Sequence, residues 1–123
     1  MALFDTDVLI DVLRGVRGAA EWADKYRLEQ NHISAITAGE ILFGMKKGEE
    51  NPTNNLLSRF EVISADEELM YLAAEVNKRA KGYELELYDC VIAATAIKHG
   101  FVLVTRNARH YPDKMLKLEI PEY

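Results

Sequence analysis

The sequence predicts an α/β fold in which a central parallel sheet is covered by helices on both faces. Three observations carry that prediction. The strand-like segments are short and apolar throughout, as strands buried on two faces are. They alternate with helical patterns, the arrangement of βαβ units. The 123 residues, 49% hydrophobic and 28% charged, have the make-up of one ordinary globular domain spanning residues 1–123.

Taken in order, the first strand is expected at Ala2–Asp5. Asp7 can cap a helix through Leu13 that stops near Gly15. A second helix is expected from Gly18 to Leu28, with Ala19, Trp22, Ala23 and Tyr26 at helical spacing. His32–Ser34 reads as a strand, followed by a helix from Ala35 to Lys47 that stops at Gly48. Gly48–Asn55, the most polar stretch, reads as a loop. Leu56, Leu57 and Phe60 suggest a short helix before a strand at Glu61–Ser64. Asp66 caps a long helix whose Leu69, Leu72, Ala73 and Val76 share one face. A polar turn at Lys81–Glu84 leads to a helix from Tyr88 to His99, which Gly100 ends. Phe101–Val104 is the most strand-like stretch of all, and Leu116–Ile120 is expected as a last edge strand.

Composition excludes several classes of function. The longest nearly apolar run, Cys90–Ile97, is far too short to span a bilayer, and Met1–Asp5 does not begin like a signal peptide. Cys90 is the lone cysteine and cannot form an internal disulfide, which fits a reducing cytoplasm. A net charge of −5 argues against broad, non-specific binding to nucleic acid. Lys46 and Lys47, then Lys78, Arg79 and Lys81, then Arg106 and Arg109 could form a local basic rim, or be solvated helix-face charges.

The chemistry sits in three carboxylates, Asp5, Glu40 and Asp89, each at or beside an apolar segment. An acid in apolar surroundings costs several kcal/mol unless it is paired or meets a cation. The sheet's carboxyl edge would gather them, because functional groups collect there in parallel sheets. A hard divalent cation is the natural ligand for such a group. Each acid also has a plainer role available. Glu40 could complete a capping box with Thr37, or stand a turn inside a helix begun by Ser34. Asp89 could simply favour a helix N-terminus electrostatically. Asp5 has no such task if Asp7 caps the first helix, and Asp7 and Asp11 then belong to an exposed helix start and face. His32 is expected to be structural and His99 to sit as a favourable cation at a helix end. No zinc pattern, phosphate-cradling glycine loop or nucleophile elbow is present.

Four segments together resemble the PIN domain, and more narrowly the VapC-type toxin ribonucleases of toxin–antitoxin pairs. They are Leu3–Asp11, Ile33–Gly44, Leu87–Ala96 and Val104–Tyr111, in the family's order and spread over nearly the whole chain. The resemblance implies a three-layer α/β/α domain with a Mg²⁺- or Mn²⁺-dependent acidic centre. Asp5, Glu40 and Asp89 match the family's acidic positions and are the implied catalytic and metal-binding residues. Thr6, Thr105 and Asn107 could support them, and Arg106 or His110 could contact phosphate. Many relatives carry a further carboxylate at the position of Asn107 or of His110; Asp113 could substitute for it, although nothing in the motif assigns it that role. The implied reaction is hydrolysis of an RNA phosphodiester to a 5′-phosphate and a 3′-hydroxyl. The implied partners are a cognate VapB-like antitoxin and a second copy of the chain.

Two rival readings are open. A PIN-like module could bind RNA or a partner without cutting, given the incomplete fourth segment. Asp5-Thr6-Asp7 is also similar to the opening of haloacid-dehalogenase-like phosphatases. That family has Thr or Val at the position of Leu9 and a late acidic pair, whereas no two aspartates are adjacent here.

Overall fold

The computed structural model describes residues 1–25 and 31–123. Five short strands, β1 (Ala2–Phe4), β2 (Asn31–Ser34), β3 (Glu61–Ile63), β4 (Val102–Val104) and β5 (Lys117–Glu119), form one sheet. The order is β3-β2-β1-β4-β5 and every pairing is parallel. The three inner strands are almost wholly buried, while β3 and β5 are edge strands with exposed residues. Six α-helices among the described residues lie between these strands: α1 (Thr6–Leu13), α2 (Ala19–Asp24), α3 (Ala35–Gly44), α4 (Glu50–Leu57), α5 (Glu67–Arg79) and α6 (Leu87–His99), and a 3₁₀ turn, Ala108–His110, follows β4. Among the described residues no helix is long and apolar enough to cross a membrane.

Strand alternation divides the core into two layers. Leu3 and Leu103 face Leu69, Ala73, Val76, Val91 and Ile92 of α5 and α6. Ala2, Phe4 and Val104 face the opposite way, onto Val8, Leu9, Trp22, Ile41 and Leu56 of α1 to α4. The result is the expected three-layer α/β/α arrangement. His32 is structural as expected. Its ring stacks on Phe101 at 4.3 Å, with Nδ1 3.3 Å from the Ala2 carbonyl and Nε2 3.5 Å from Glu61.

Three expectations need correction. Asp5, not Asp7, holds the cap position of α1, and its Oδ1 accepts from the Thr6 amide at 2.7 Å. The strand ends one residue early, so the cap falls on the first acid. Helix α3 ends at Gly44, short of Lys47, because Met45 turns to an extended conformation. The Lys46 amide then donates to Glu49 at 2.6 Å. The polar stretch expected as loop is largely α4, which buries Thr53 and Leu56 against the core. Pro52 lies in its first turn, where the missing N–H breaks no helical bond. The end of the second expected helix, Tyr26 to Leu28, lies outside the described residues. Asp66 caps α5 through the Leu69 amide at 2.9 Å, and Gly100 ends α6 at φ 69°, both as expected.

Leu3 is fully buried in the central strand. Leu3→Ala should therefore lower stability by about 2–5 kcal/mol, read as a lower urea midpoint with an unchanged slope.

Candidate active site

The sheet changes direction of growth at β1. From there β2 and β3 are laid to one side and β4 and β5 to the other. Helix α1 leaves the carboxyl end of β1, and the chain leaves that of β4 through a short 3₁₀ turn, Ala108–His110. In open parallel sheets functional groups collect at such a point of the carboxyl edge. Asp5 lies at that edge, with its amide donating to the Val104 carbonyl at 2.9 Å. It is 6% exposed. The Thr105 hydroxyl donates to its Oδ2 at 2.7 Å, and the Thr6 amide holds Oδ1.

Glu40 reaches the same place from α3. Ser34 caps that helix, accepting from the Ile36 amide at 3.1 Å, which sets Glu40 more than a turn inside. The capping-box alternative is thereby excluded. Glu40 Oε1 instead accepts from the Thr6 hydroxyl at 2.8 Å. The Thr6 hydroxyl has one proton to give, so the Thr37 hydroxyl, 3.1 Å away, faces its oxygen as a donor. Asp89 enters from the first turn of α6, 7% exposed, with His110 Nδ1 3.7 Å from its Oδ2.

The three acids feel one another. Burial pushes Asp89 up to about 6, opposed next by His110, while the charges of Asp5, Glu86 and Glu40 add to the rise. Burial likewise raises Asp5 above its ordinary range despite the opposing hydrogen bonds from Thr105 and Thr6. Glu40 is raised by burial and by Asp5, although the Thr6 hydroxyl favours its charge.

Sequence reasoning missed a fourth acid. Asp7 was expected on an exposed helix start. It is instead half-buried and pushed up to about 6, first by burial and then by Asp5. Its Oδ2 accepts from the Arg106 amide at 2.9 Å, and its Oδ1 is buried without a partner. Asp11, expected on an exposed face, is only partly exposed and accepts from Arg106 and Tyr123. Tyr111 was also missed. Its hydroxyl is buried with no hydrogen bond of good geometry, yet lies close enough to Asp5 to favour that carboxylate. No polar pattern around Tyr111 announced it; only the return of the chain after β4 brings it there.

Other expected site residues lie elsewhere. Asn107 is exposed, and its amide donates to the Thr105 hydroxyl at 3.0 Å. The Arg106 guanidinium is engaged by Asp11 at 3.1 Å, away from an open phosphate role. Asp113 is no substitute acid, because Arg79 holds it at 2.8 Å. With Arg79 and Arg106 both paired, the basic rim reduces largely to solvated or internally paired charges.

All the donors at the centre are oxygens, which suits a hard cation and no soft one. The raised carboxyls and the orphaned Asp7 Oδ1 are what such a cation would relieve. Among the described residues no three acidic, imidazole or thiol groups stand close enough to ligate one ion directly. An ion here would take fewer protein ligands and complete its shell with water, as Mg²⁺ does.

Comparison with known proteins bears on this geometry. The PIN domain family model matches residues 2–112. Ribonuclease VapC10 of Mycobacterium tuberculosis is 35% identical over 115 residues, covering 91% of this chain and 86% of that protein. Ribonuclease VapC1 of Methanocaldococcus jannaschii is 31% identical, covering 89% of this chain and 77% of that one. Among solved structures, a toxin–antitoxin complex from Klebsiella pneumoniae is 34% identical with a TM-score of 0.83, covering 99% of this chain and 98% of that one.

The electrostatics make a pH prediction for the metal-free protein. Unfolded, Asp89 titrates near 3.8; folded, near 6. Between those values the folded state binds more protons, so stability falls as pH rises. The penalty is absent below about pH 4 and complete above about pH 6, on the order of 2 kcal/mol and less where water screens it. Asp89→Asn should therefore melt a few degrees higher than wild type at neutral pH, with the gap closing as pH falls to 4. An Asp89→Asn protein that melts lower at pH 7 would contradict the crowding of these acids.

Proposed function

The chain belongs to the PIN domain family, and we propose that it is a VapC-type toxin, an endoribonuclease silenced by a cognate antitoxin. One observation carries the reading: Asp5 and Asp89, buried, and Glu40, half-buried, stand at the edge where the sheet reverses its growth, each raised by burial, with Asp5 raising the other two further. The ion we assign to this centre is Mg²⁺ or Mn²⁺, with Asp5 and Asp89 as ligands and Glu40 acting through water. When bound, it supplies charge compensation for the scissile phosphate and a more acidic water. The chain supplies the rest. Thr105 and the Thr6 amide fix both oxygens of Asp5, so the carboxylate is oriented before substrate arrives. Thr37 and Thr6 form a hydroxyl relay that aims Glu40. His110, half-exposed beside Asp89, stands where a phosphate would approach.

The substrate is RNA, cut to a 5′-phosphate and a 3′-hydroxyl. An acidic centre repels RNA until a cation is present, so metal and substrate binding are coupled. The antitoxin is a VapB-like protein that presents Arg or Lys to the same carboxylates, forming charge-assisted hydrogen bonds in place of the ion. Exposed ion pairs are worth little alone, so the partner must also cover apolar surface. A groove with Glu40 in its lining offers that surface in Ile10, Leu13, Ile41, Met45 and Pro52, with Leu42 and Phe43 exposed on α3. We place the protein in the cytoplasm, as a homodimer of single-domain chains.

Expression of the chain alone should arrest growth, and Asp5→Asn should relieve the arrest. In vitro, purified protein should cut total RNA with Mg²⁺ or Mn²⁺ and stop on chelation, with Asp5→Asn reduced at least ~100-fold. Glu40→Gln should lose activity without any fall in its melting temperature. RNA bound equally well by wild type and Asp5→Asn, and cut by neither, would instead favour the non-cleaving module.

A further inference from the structure

The loop after β4 supplies three groups to the acidic centre. Thr105 bonds Asp5, His110 flanks Asp89, and Tyr111 lies beside Asp5. What holds that loop in register is not at the centre itself. Asp7 and Asp11 are four residues apart on α1 and so share one face of the helix. Both grip the same loop residue. Asp7 accepts from the Arg106 amide at 2.9 Å, and Asp11 accepts from its guanidinium at 3.1 Å.

A third group locks the outer grip. The Tyr123 hydroxyl donates to the same Asp11 oxygen at 2.7 Å, and the Arg106 guanidinium lies 4.8 Å from the Tyr123 ring centre. Tyr123 is itself fixed. Its ring packs on Trp22 at 6.1 Å, and Gly18, at φ 82°, lets the backbone pass so close that a Cβ there would meet Tyr123 Cβ at 3.0 Å. An isolated pair as exposed as Arg106 and Asp11 would be a loose surface contact. This pair is tied to the core through a tilted aromatic contact and to the catalytic loop through one residue's main chain.

We propose that Asp11, Arg106 and Tyr123 form a clamp that positions the Thr105–Tyr111 loop for catalysis, and that Arg106 serves this purpose instead of binding RNA phosphate. The proposal rests on the ribonuclease reading for its kinetic consequence. None of the three residues touches the reacting atoms. They are positioning residues, acting through Thr105 and His110. Separation of the two roles of Arg106 is straightforward, because a positioning residue lowers kcat and a phosphate contact raises KM.

The test is a double-variant cycle of Asp11→Asn and Arg106→Gln in RNA cleavage, with amide hydrogen exchange on the same proteins. Each single variant should lose about tenfold in kcat with KM unchanged, below the ~100-fold that a misplaced catalytic group can cost. The double variant should be no worse than either single. Tyr123→Phe, which keeps the ring and removes the hydroxyl, should fall in the same direction. Additive losses, or a raised KM in Arg106→Gln alone, would overturn the clamp and return Arg106 to the substrate. Exchange at the Arg106 and Asn107 amides reads the clamp without any cleavage. It should quicken about tenfold in Asp11→Asn, and unchanged exchange there would overturn the proposal even if the wild-type chain cut no RNA.

Discussion

The acidic centre depends on the parallel pairing of β1 with β4. Phe4 and Val104 are register partners, and the Asp5 amide donates to the Val104 carbonyl at 2.9 Å. That single seam sets Asp5 beside Thr105, a residue 100 positions away in sequence. It also marks the place where the sheet grows in opposite directions. Such a reversal of growth is where open parallel sheets collect functional groups at their carboxyl edge. Asp89 and Glu40 reach that edge because α6 and α3 pack on opposite layers of the same sheet. Each strand is only three or four residues long, so little regular structure supports the seam beyond the two apolar layers.

The energetics explain why such a site has to be built into a core. Water around an open cluster would screen the acids and leave them near their ordinary values. Here burial is the largest influence on Asp5, Asp7, Glu40 and Asp89, ahead of their mutual repulsion. The hydroxyls of Thr6, Thr37 and Thr105 hold the carboxylates in place without supplying positive charge. Oriented but uncompensated carboxylates are a strained arrangement, with stability given up for a prepared site. His110 offers partial relief to Asp89 from a half-exposed position.

Much of this was legible in the sequence. Helical spacing found α5, the nearly apolar run before Gly100 found α6, and the β-branched run at Val102–Val104 found β4, because burial imposes those patterns directly. The resemblance selected Asp5, Glu40 and Asp89, and Asp5 raises both of the other two, although the three do not stand close enough to ligate one ion together. The failures share one cause: local chemistry read without knowledge of partners. Asp7 resembles a helix cap until the loop after β4 closes over it and takes one of its oxygens. The polar stretch before Leu56 resembles a loop until Thr53 finds a buried place against the core. Asp113 resembles a spare ligand until Arg79 is found beside it. Thr37 and Tyr111 carry no sequence signal of their own, since a threonine in a helix and a tyrosine in a loop are common in any role.

The central claim is that these carboxylates exist to hold a divalent cation. Titration of Mn²⁺ into the purified protein, with free Mn²⁺ followed by its electron paramagnetic resonance, tests it without RNA, partner or cleavage. The account predicts saturable binding to wild type, lost in the Asp5→Asn/Asp89→Asn double variant and weakened in Glu40→Gln. Equal Mn²⁺ affinity in wild type and the double variant would contradict it.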